Sequence, residues 1–306
     1  MLFYNLELFG KKLKEIRKVL KLNQKYIAEI TDIDDKTIRR IENGKVLPKL
    51  DTLEILSPIY KEDLISLLLE YRFDDYSVFC EIKNKVELKL DNGEQNTLHN
   101  EFKGLNILLS STENPYYKNL INQLLLFTEA AIIYKDNNNN NTALAKLLKA
   151  IRITIPRFNL DNYTSFVYFS MEIRILMNIA FVVNRLNNKE KYLEIMDFCI
   201  NSVDTSDELY PKLCHNLAGA YIRNKEYQKA LVLSNIGIES CQKNRSFSGL
   251  NILYYGKGFA EYYLGKSEHL KSLNLSISLC EAFGQNTLKK TIIDNCKEIL
   301  GINLGA

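Results

Sequence analysis

Between Gly10 and Leu50, twelve lysines and arginines stand against six aspartates and glutamates, although the whole 306-residue chain has a formal charge of only +3. The remainder is therefore net acidic, and the basic excess near one end is an electrostatic match for phosphate. Other kinds of chemistry find no footing. His99, His215 and His269 stand apart, outside any P-loop, nucleophile-elbow or zinc-protease context. Cys214 and His215 are adjacent on one helical stretch, where neighbouring side chains diverge, so they do not make a nucleophile and base. Six cysteines, Cys80, Cys199, Cys214, Cys241, Cys280 and Cys296, have no spacing that closes a zinc site. These residue types predict a binding protein with reduced cysteines and with no catalytic residue, metal or cofactor.

The elements that must position these groups read as helices. Hydrophobic residues make up 46% of the chain and charged residues 25%, which suits a folded protein, and only five prolines and thirteen glycines interrupt it. Apolar residues recur at helical spacing, as in Phe9, Leu13, Ile16 and Leu20, and strand-like alternation is nearly absent, so the expected fold is all-α. Met1 to Gly10 has neither the basic start nor the cleavage site of a signal peptide, and no apolar run is long enough to span a membrane. A cytoplasmic protein with no membrane partner is expected. The length suits two units, with a seam near Arg72: a domain over 1–72 and a longer one over 73–306. Helices of the first are expected at 7–20, 24–31, 35–42, 50–59 and 62–71. Asn23 and Asp34 can accept from free amides at helix starts, and Asn43-Gly44 ends the third helix.

The segment from Gly10 to Pro48 resembles the helix-turn-helix of the phage-repressor and Xre family. The residues that carry the likeness are Gly10, Leu13, Arg17, Leu22-Asn23-Gln24, Ile27-Ala28, Ile33-Asp34, Ile38, Ile41-Glu42-Asn43-Gly44 and Pro48. Ala28 is small where the second and third helices cross, the isoleucines supply a small core, and Arg17 is spaced to pair with Glu42 as a structural ion pair. Asp32 stands at a turn position usually held by glycine, which aspartate tolerates. The resemblance implies that the third helix enters the major groove of double-stranded promoter DNA. It makes Asp35, Lys36, Thr37, Arg39 and Arg40 candidates for reading bases, and Gln24, Asn43 and Lys45 candidates for holding phosphates. Lys11, Lys12, Lys14 and Lys18 either contact phosphate or form a solvated face.

Beyond Arg72 a looser pattern repeats: a small residue, a bulky one three later, then a small or aromatic residue on a second helix. It reads Ala131…Tyr134…Ala143…Ala150, Ala180…Val183…Tyr192, Ala218…Tyr221…Ala230…Gly237 and Ala260…Tyr263…Ser272, with first residues spaced 49, 38 and 42 apart. Small side chains let the helices of a hairpin approach, and each hairpin buries its apolar face on its neighbours. These segments resemble tetratricopeptide repeats, although the spacings exceed the usual ~34 residues and Tyr192 stands where a small residue belongs. The fold expected is an N-terminal five-helix helix-turn-helix domain followed by a right-handed superhelix of such hairpins. A helical array of another repeat type stays open. The run from Asp136 to Thr142, with its five asparagines, reads as a loop without function.

This order of parts resembles the Rgg, PlcR and PrgX group of peptide-sensing transcription regulators from Gram-positive bacteria. The resemblance implies a quorum-sensing regulator that binds DNA as a homodimer and is switched by a short signalling peptide in the concave groove of its repeats. On the repeat pattern Asn178 and Asn216 hold equivalent places, and a carboxamide can clamp a peptide bond without reading its side chain. Arg174, Asn184, Arg185, His215, Arg223, Tyr254, Lys257 and Glu261 are expected along the same stripe, with Tyr254 and Tyr263 as walls or as core. Alternatives are a helix-turn-helix regulator whose repeats bind a partner protein, or one whose repeats only dimerise it.

Overall fold

A computed structural model describes residues 4–72, 76–135 and 139–304. Among them every regular element is helical, and sixteen α-helices follow one another with no strand. The chain divides into two compact units, one of residues 1–85 with 103–121, the other of 86–102 with 122–306. The fifth helix ends at Glu70, and the first unit takes in further residues beyond it.

The first unit begins with α1 (Leu6–Val19), α2 (Gln24–Thr31), α3 (Asp35–Glu42), α4 (Leu50–Tyr60) and α5 (Leu64–Glu70). Side-chain oxygens start several of them. Asn23 accepts from the Tyr26 amide at 2.8 Å, Asp34 from Lys36 at 3.2 Å, and Asp63 from Ile65 and Ser66 at 3.1 Å each. The cap at Asp63, together with the left-handed backbone of Lys61 (φ 53°), explains why α5 starts two residues later than expected. Asp32 does adopt the left-handed conformation (φ 58°) between α2 and α3. Phe9, Leu13, Ile27, Ile38, Ile41, Leu53, Leu56, Tyr60 and Leu64 are buried together, and Ala28 and Ile33 pack on them.

Two glycines set how closely these helices meet. A Cβ on Gly10 would lie 2.5 Å from the Ile41 carbonyl oxygen and 2.6 Å from that of Glu42, so α1 rests directly on the backbone of α3. Gly44 (φ +66°) turns the chain away after α3 and lies against the start of α1, with the Glu7 Cα 2.7 Å from where a Cβ would be. The third helix is thereby fixed on its inner side by backbone contact as well as by apolar packing.

Three helices then run on: α6 (Tyr76–Asp91), α7 (His99–Ser111) and α8 (Pro115–Tyr134), each of which passes from one unit to the other. The second unit continues as α9 (Asn140–Arg152), α10 (Ser170–Arg185), α11 (Lys189–Asn201), α12 (Tyr210–Arg223), α13 (Tyr227–Lys243), α14 (Leu250–Tyr263), α15 (His269–Ala282) and α16 (Asn286–Leu300). Helices α8/α9, α10/α11, α12/α13 and α14/α15 are the four hairpins anticipated from the repeat pattern.

The small residues of that pattern are the buried contact points. Ala143, Ala150, Ala180, Ala218, Ala230 and Ala260 are fully enclosed, and a Cβ on Gly237 would fall 2.6 Å from the Leu253 side chain of the next hairpin. Tyr192 breaks the pattern without opening the array, because its ring is buried and its hydroxyl donates to the Asn216 carbonyl of the next hairpin at 3.3 Å. Tyr263 stacks on Tyr227 with ring centres 4.5 Å apart. Of the asparagine-rich run, Asp136, Asn137 and Asn138 lie outside the described residues. Asn140, Asn141 and Thr142 form the first turn of α9 instead of the expected loop.

Candidate functional site

Helix α3 has two distinct sides. Ile38, Ile41 and Glu42 are buried, while Asp35, Lys36, Arg39 and Arg40 are exposed and Thr37 is half-buried. Asn43 and Lys45 follow on the exposed side of the turn. Every base-reading candidate therefore sits on, or at the edge of, the outward face of one short helix. The isoleucine spacing, with Ile38 and Ile41 facing inward, is what sends the basic residues out.

Beneath this face the expected Arg17–Glu42 pair is bidentate, with Nε to Oε1 at 2.6 Å and Nη2 to Oε2 at 2.9 Å. The network is larger than sequence reasoning anticipated. Gln24 donates to Glu42 Oε2 at 2.8 Å, Tyr60 donates to Oε1 at 3.2 Å, and Arg17 also reaches the Leu22 carbonyl at 3.0 Å. Glu42 itself is only 4% exposed, so these four donated bonds replace its water. The Arg17 guanidinium is held above its ordinary pKa chiefly by its bond to Glu42. Burial, then the charge on Glu42, pushes the Tyr60 hydroxyl well up, which keeps it a donor. Gln24, expected at a phosphate, thus spends one amide hydrogen inside the unit and ties the start of α2 to the end of α3.

In the second unit a cavity of about 340 Å3 opens beside α10 and α12. Arg174, Asn178, His215 and Asn216 of the expected groove residues line it, together with Tyr134, Met177, Phe181 and Ile252. The equivalent places of Asn178 and Asn216 do bring both to one surface. Asn178 donates back to the Arg174 carbonyl at 2.8 Å, and Asn216 directs its amide at the Met177 sulfur at 3.3 Å, a weak acceptor that a peptide carbonyl can displace.

The other six groove candidates lie elsewhere than in this cavity. Glu261 is 4% exposed and accepts from Ser272 of α15 at 2.7 Å, so its carboxylate is used inside the hairpin, with Lys257 3.9 Å away. Arg185 lies over the Tyr134 ring at 3.5 Å and bonds the Tyr134 carbonyl, while Arg223 donates to the Tyr192 hydroxyl at 3.4 Å. Tyr254 packs on the core of Cys214, Ile238, Cys241 and Leu253. Asn184 is half-buried near the end of α10. Sequence reasoning missed Lys212, which lines the cavity one helical turn before Asn216, the place that Arg174 holds before Asn178. That register was the available signal.

His215 makes the cavity wall sensitive to acid. Its Nδ1 is 3.1 Å from the Ile252 carbonyl, to which it donates, and the residue lines the cavity. Burial lowers its pKa to about 4, the Ile252 bond opposes this, and Arg223 adds to it. The folded-state value lies below the unfolded one, so the stability from neutral His215 is complete above about pH 6.5 and is lost as pH falls towards 4. Urea unfolding at pH 7 and at pH 4.5 is expected to show a pH-dependent loss that shrinks by about 2 kcal/mol in His215→Gln; an identical loss in both proteins would rule it out.

Among the described residues no group of His, Cys, Asp and Glu is arranged to hold a metal ion, and no helix is long and apolar enough to cross a membrane. The six cysteines are free thiols, and burial pushes Cys199 and Cys214 each up to about 12.

A turn-separated helix pair with a basic outer face, carried by the same chain as an array of helical hairpins with an asparagine-bearing cavity, defines a helix-turn-helix protein with a tetratricopeptide-like repeat array. Residues 10–72 match the family HTH_19, Helix-turn-helix domain. The chain shares its fold with PlcR of Bacillus thuringiensis in complex with the peptide PapR7 and DNA, at 17% identity and a TM-score of 0.72, covering 94% of this chain and 99% of that one. ComR of S. thermophilus, in complex with DNA and its signalling peptide ComS, is similar at 15% identity and a TM-score of 0.59, over 96% and 100% of the two chains. The SHP pheromone receptor Rgg2 of Streptococcus dysgalactiae is similar at 14% identity and 0.58, over 95% and 99%. No curated protein matches the chain in sequence.

Proposed function

We propose that the chain is a cytoplasmic transcription regulator that binds double-stranded promoter DNA as a homodimer and responds to a short signalling peptide. Residues 1–72 are the DNA-binding domain, and 73–306 bind the peptide and dimerise. The observation that carries this reading is the pairing of the two faces in one chain: an exposed basic α3 on a fixed helix-turn-helix, and a cavity in the repeats lined by paired asparagines. The fold it shares with PlcR and ComR, both solved with DNA and a peptide, supports the same assignment.

Asp35, Lys36, Thr37, Arg39 and Arg40 meet base edges, and Gln24, Asn43 and Lys45 meet the backbone. Asn178 and Asn216 hold the peptide backbone. The peptide acts only through a difference in its affinity for two states of the protein. The test is to select a DNA fragment from a randomised pool with the purified protein, then titrate that complex with short peptides expressed beside the gene. DNA affinity is expected to shift by about 5–150-fold with a bound peptide. Peptides that bind without changing it would overturn the switch.

A further inference from the structure

The cations Arg174 and Lys212 stand at equivalent places on α10 and α12, one turn before Asn178 and Asn216, and both are buried. Each meets a carboxylate from the last two turns of α6. Lys212 Nζ is 2.7 Å from Asp91 Oδ2, and Arg174 Nη2 is 3.7 Å from Glu87 Oε1. The chain just after α6 is held on as well, because Gln285 donates to Asn92 at 2.9 Å.

The Lys212–Asp91 pair also stands between two cavities. Both side chains line the asparagine-bearing cavity, and both line a second one, also of about 340 Å3, whose walls include Phe247, Phe283 and Leu288. Phe247 and Phe283 are exposed apolar side chains with ring centres 5.9 Å apart. Each cavity alone is at the lower end of the range for small-ligand sites, about 300–1,000 Å3. Removal of the Asp91 side chain from between them would give one trough, with Asn178 and Asn216 at one end, Phe247 and Phe283 at the other, and a buried lysine between.

We propose that Glu87 and Asp91 hold the place of a ligand's carboxylates, and that the trough takes a short anionic peptide whose acidic group replaces Asp91 on Lys212. This rests on the repeats being the ligand site. A buried cation stripped of its partner is costly, so a ligand that evicts Asp91 must bring a negative charge to the same nitrogen. Glu87 and Asp91 are four residues apart on a helix, a rise of about 6 Å. An extended peptide spaces same-side residues about 7 Å apart, so two acidic groups two positions apart fit both cations. Apolar residues beside them reach Phe247 and Phe283. The first part of α6 belongs to the first unit, so the exchange changes what holds the far end of a helix that the DNA-binding unit shares.

The experiment is affinity selection on the full-length protein from an equimolar pool of randomised heptapeptides, with retained peptides sequenced by mass spectrometry. Peptides with Asp or Glu two positions apart beside an apolar residue are expected to be enriched about tenfold over neutral ones. Asp91→Asn, which removes the internal competitor with little change in shape, is expected to raise their retention, and Lys212→Met to abolish the enrichment. Circular dichroism establishes that each variant is folded, and Asp91→Asn decides the matter if Lys212→Met is not. Retained peptides with no acidic preference would overturn the proposal and leave the peptide groove standing. Retention of no peptide at all would overturn both.

Discussion

With Lys36, Arg39 and Arg40 all replaced by alanine, the protein is expected to bind its selected DNA fragment at least about a hundredfold more weakly than the wild type. All three side chains are exposed on α3, and none is among the ion pairs or side-chain hydrogen bonds of the fold, so their removal takes nothing from the core. Alanine is also a better helix former than the residues it replaces. A bidentate arginine on a base is worth about 1–3 kcal/mol. Two of them supply at least ~2 kcal/mol, and Lys36 on the same face makes up the ~2.7 kcal/mol of a hundredfold change. Three fewer positive charges beside the duplex also predict a flatter dependence of affinity on salt. Fluorescence anisotropy over a salt series measures both quantities. Unchanged affinity in a variant with wild-type helicity would remove the DNA-reading role from α3.

The residues of that helix were legible because local rules determine them. A cap at Asp34, an inward pair at Ile38 and Ile41, and a turn at Asn43-Gly44 fix its start, its orientation and its end within eleven residues. The same kind of rule placed Asn178 and Asn216 on one surface, since equivalent positions on successive hairpins face the same way. What stayed hidden depends on partners distant in the chain. Lys212 lies in the same stripe as Asn216, but its partner Asp91 is 121 residues away, on a helix that the repeat pattern does not include. Glu261 was expected along the groove stripe. A step of about 100° per residue carries it round to α15 instead, where Ser272 donates to it. Periodicity tells which side of a helix a residue occupies; it does not tell which neighbour covers that side.

Glu42→Ala tests the part of the first unit on which the exposed basic face of α3 rests, and it is expected to cost about 3–5 kcal/mol of that unit's stability. Glu42 accepts from Arg17, Gln24 and Tyr60, and these residues come from α1, α2 and α4, so one carboxylate gathers three helices on the end of α3. Its loss leaves the Arg17 guanidinium, 12% exposed, with the Leu22 carbonyl as its remaining partner in the network. A domain holds only about 5–15 kcal/mol in all, so such a loss brings it near its unfolding threshold. The double variant Arg17→Met, Glu42→Met separates charge from packing. It removes both ions together and is expected to be more stable than Glu42→Ala alone, because it leaves no buried cation without a partner. Urea unfolding followed by circular dichroism, with proteolysis to report on α1–α5, distinguishes these outcomes. A loss below about 1 kcal/mol in Glu42→Ala would mean that the pair is worth no more than a surface ion pair, and that Gly10 and the apolar core hold α3 without it.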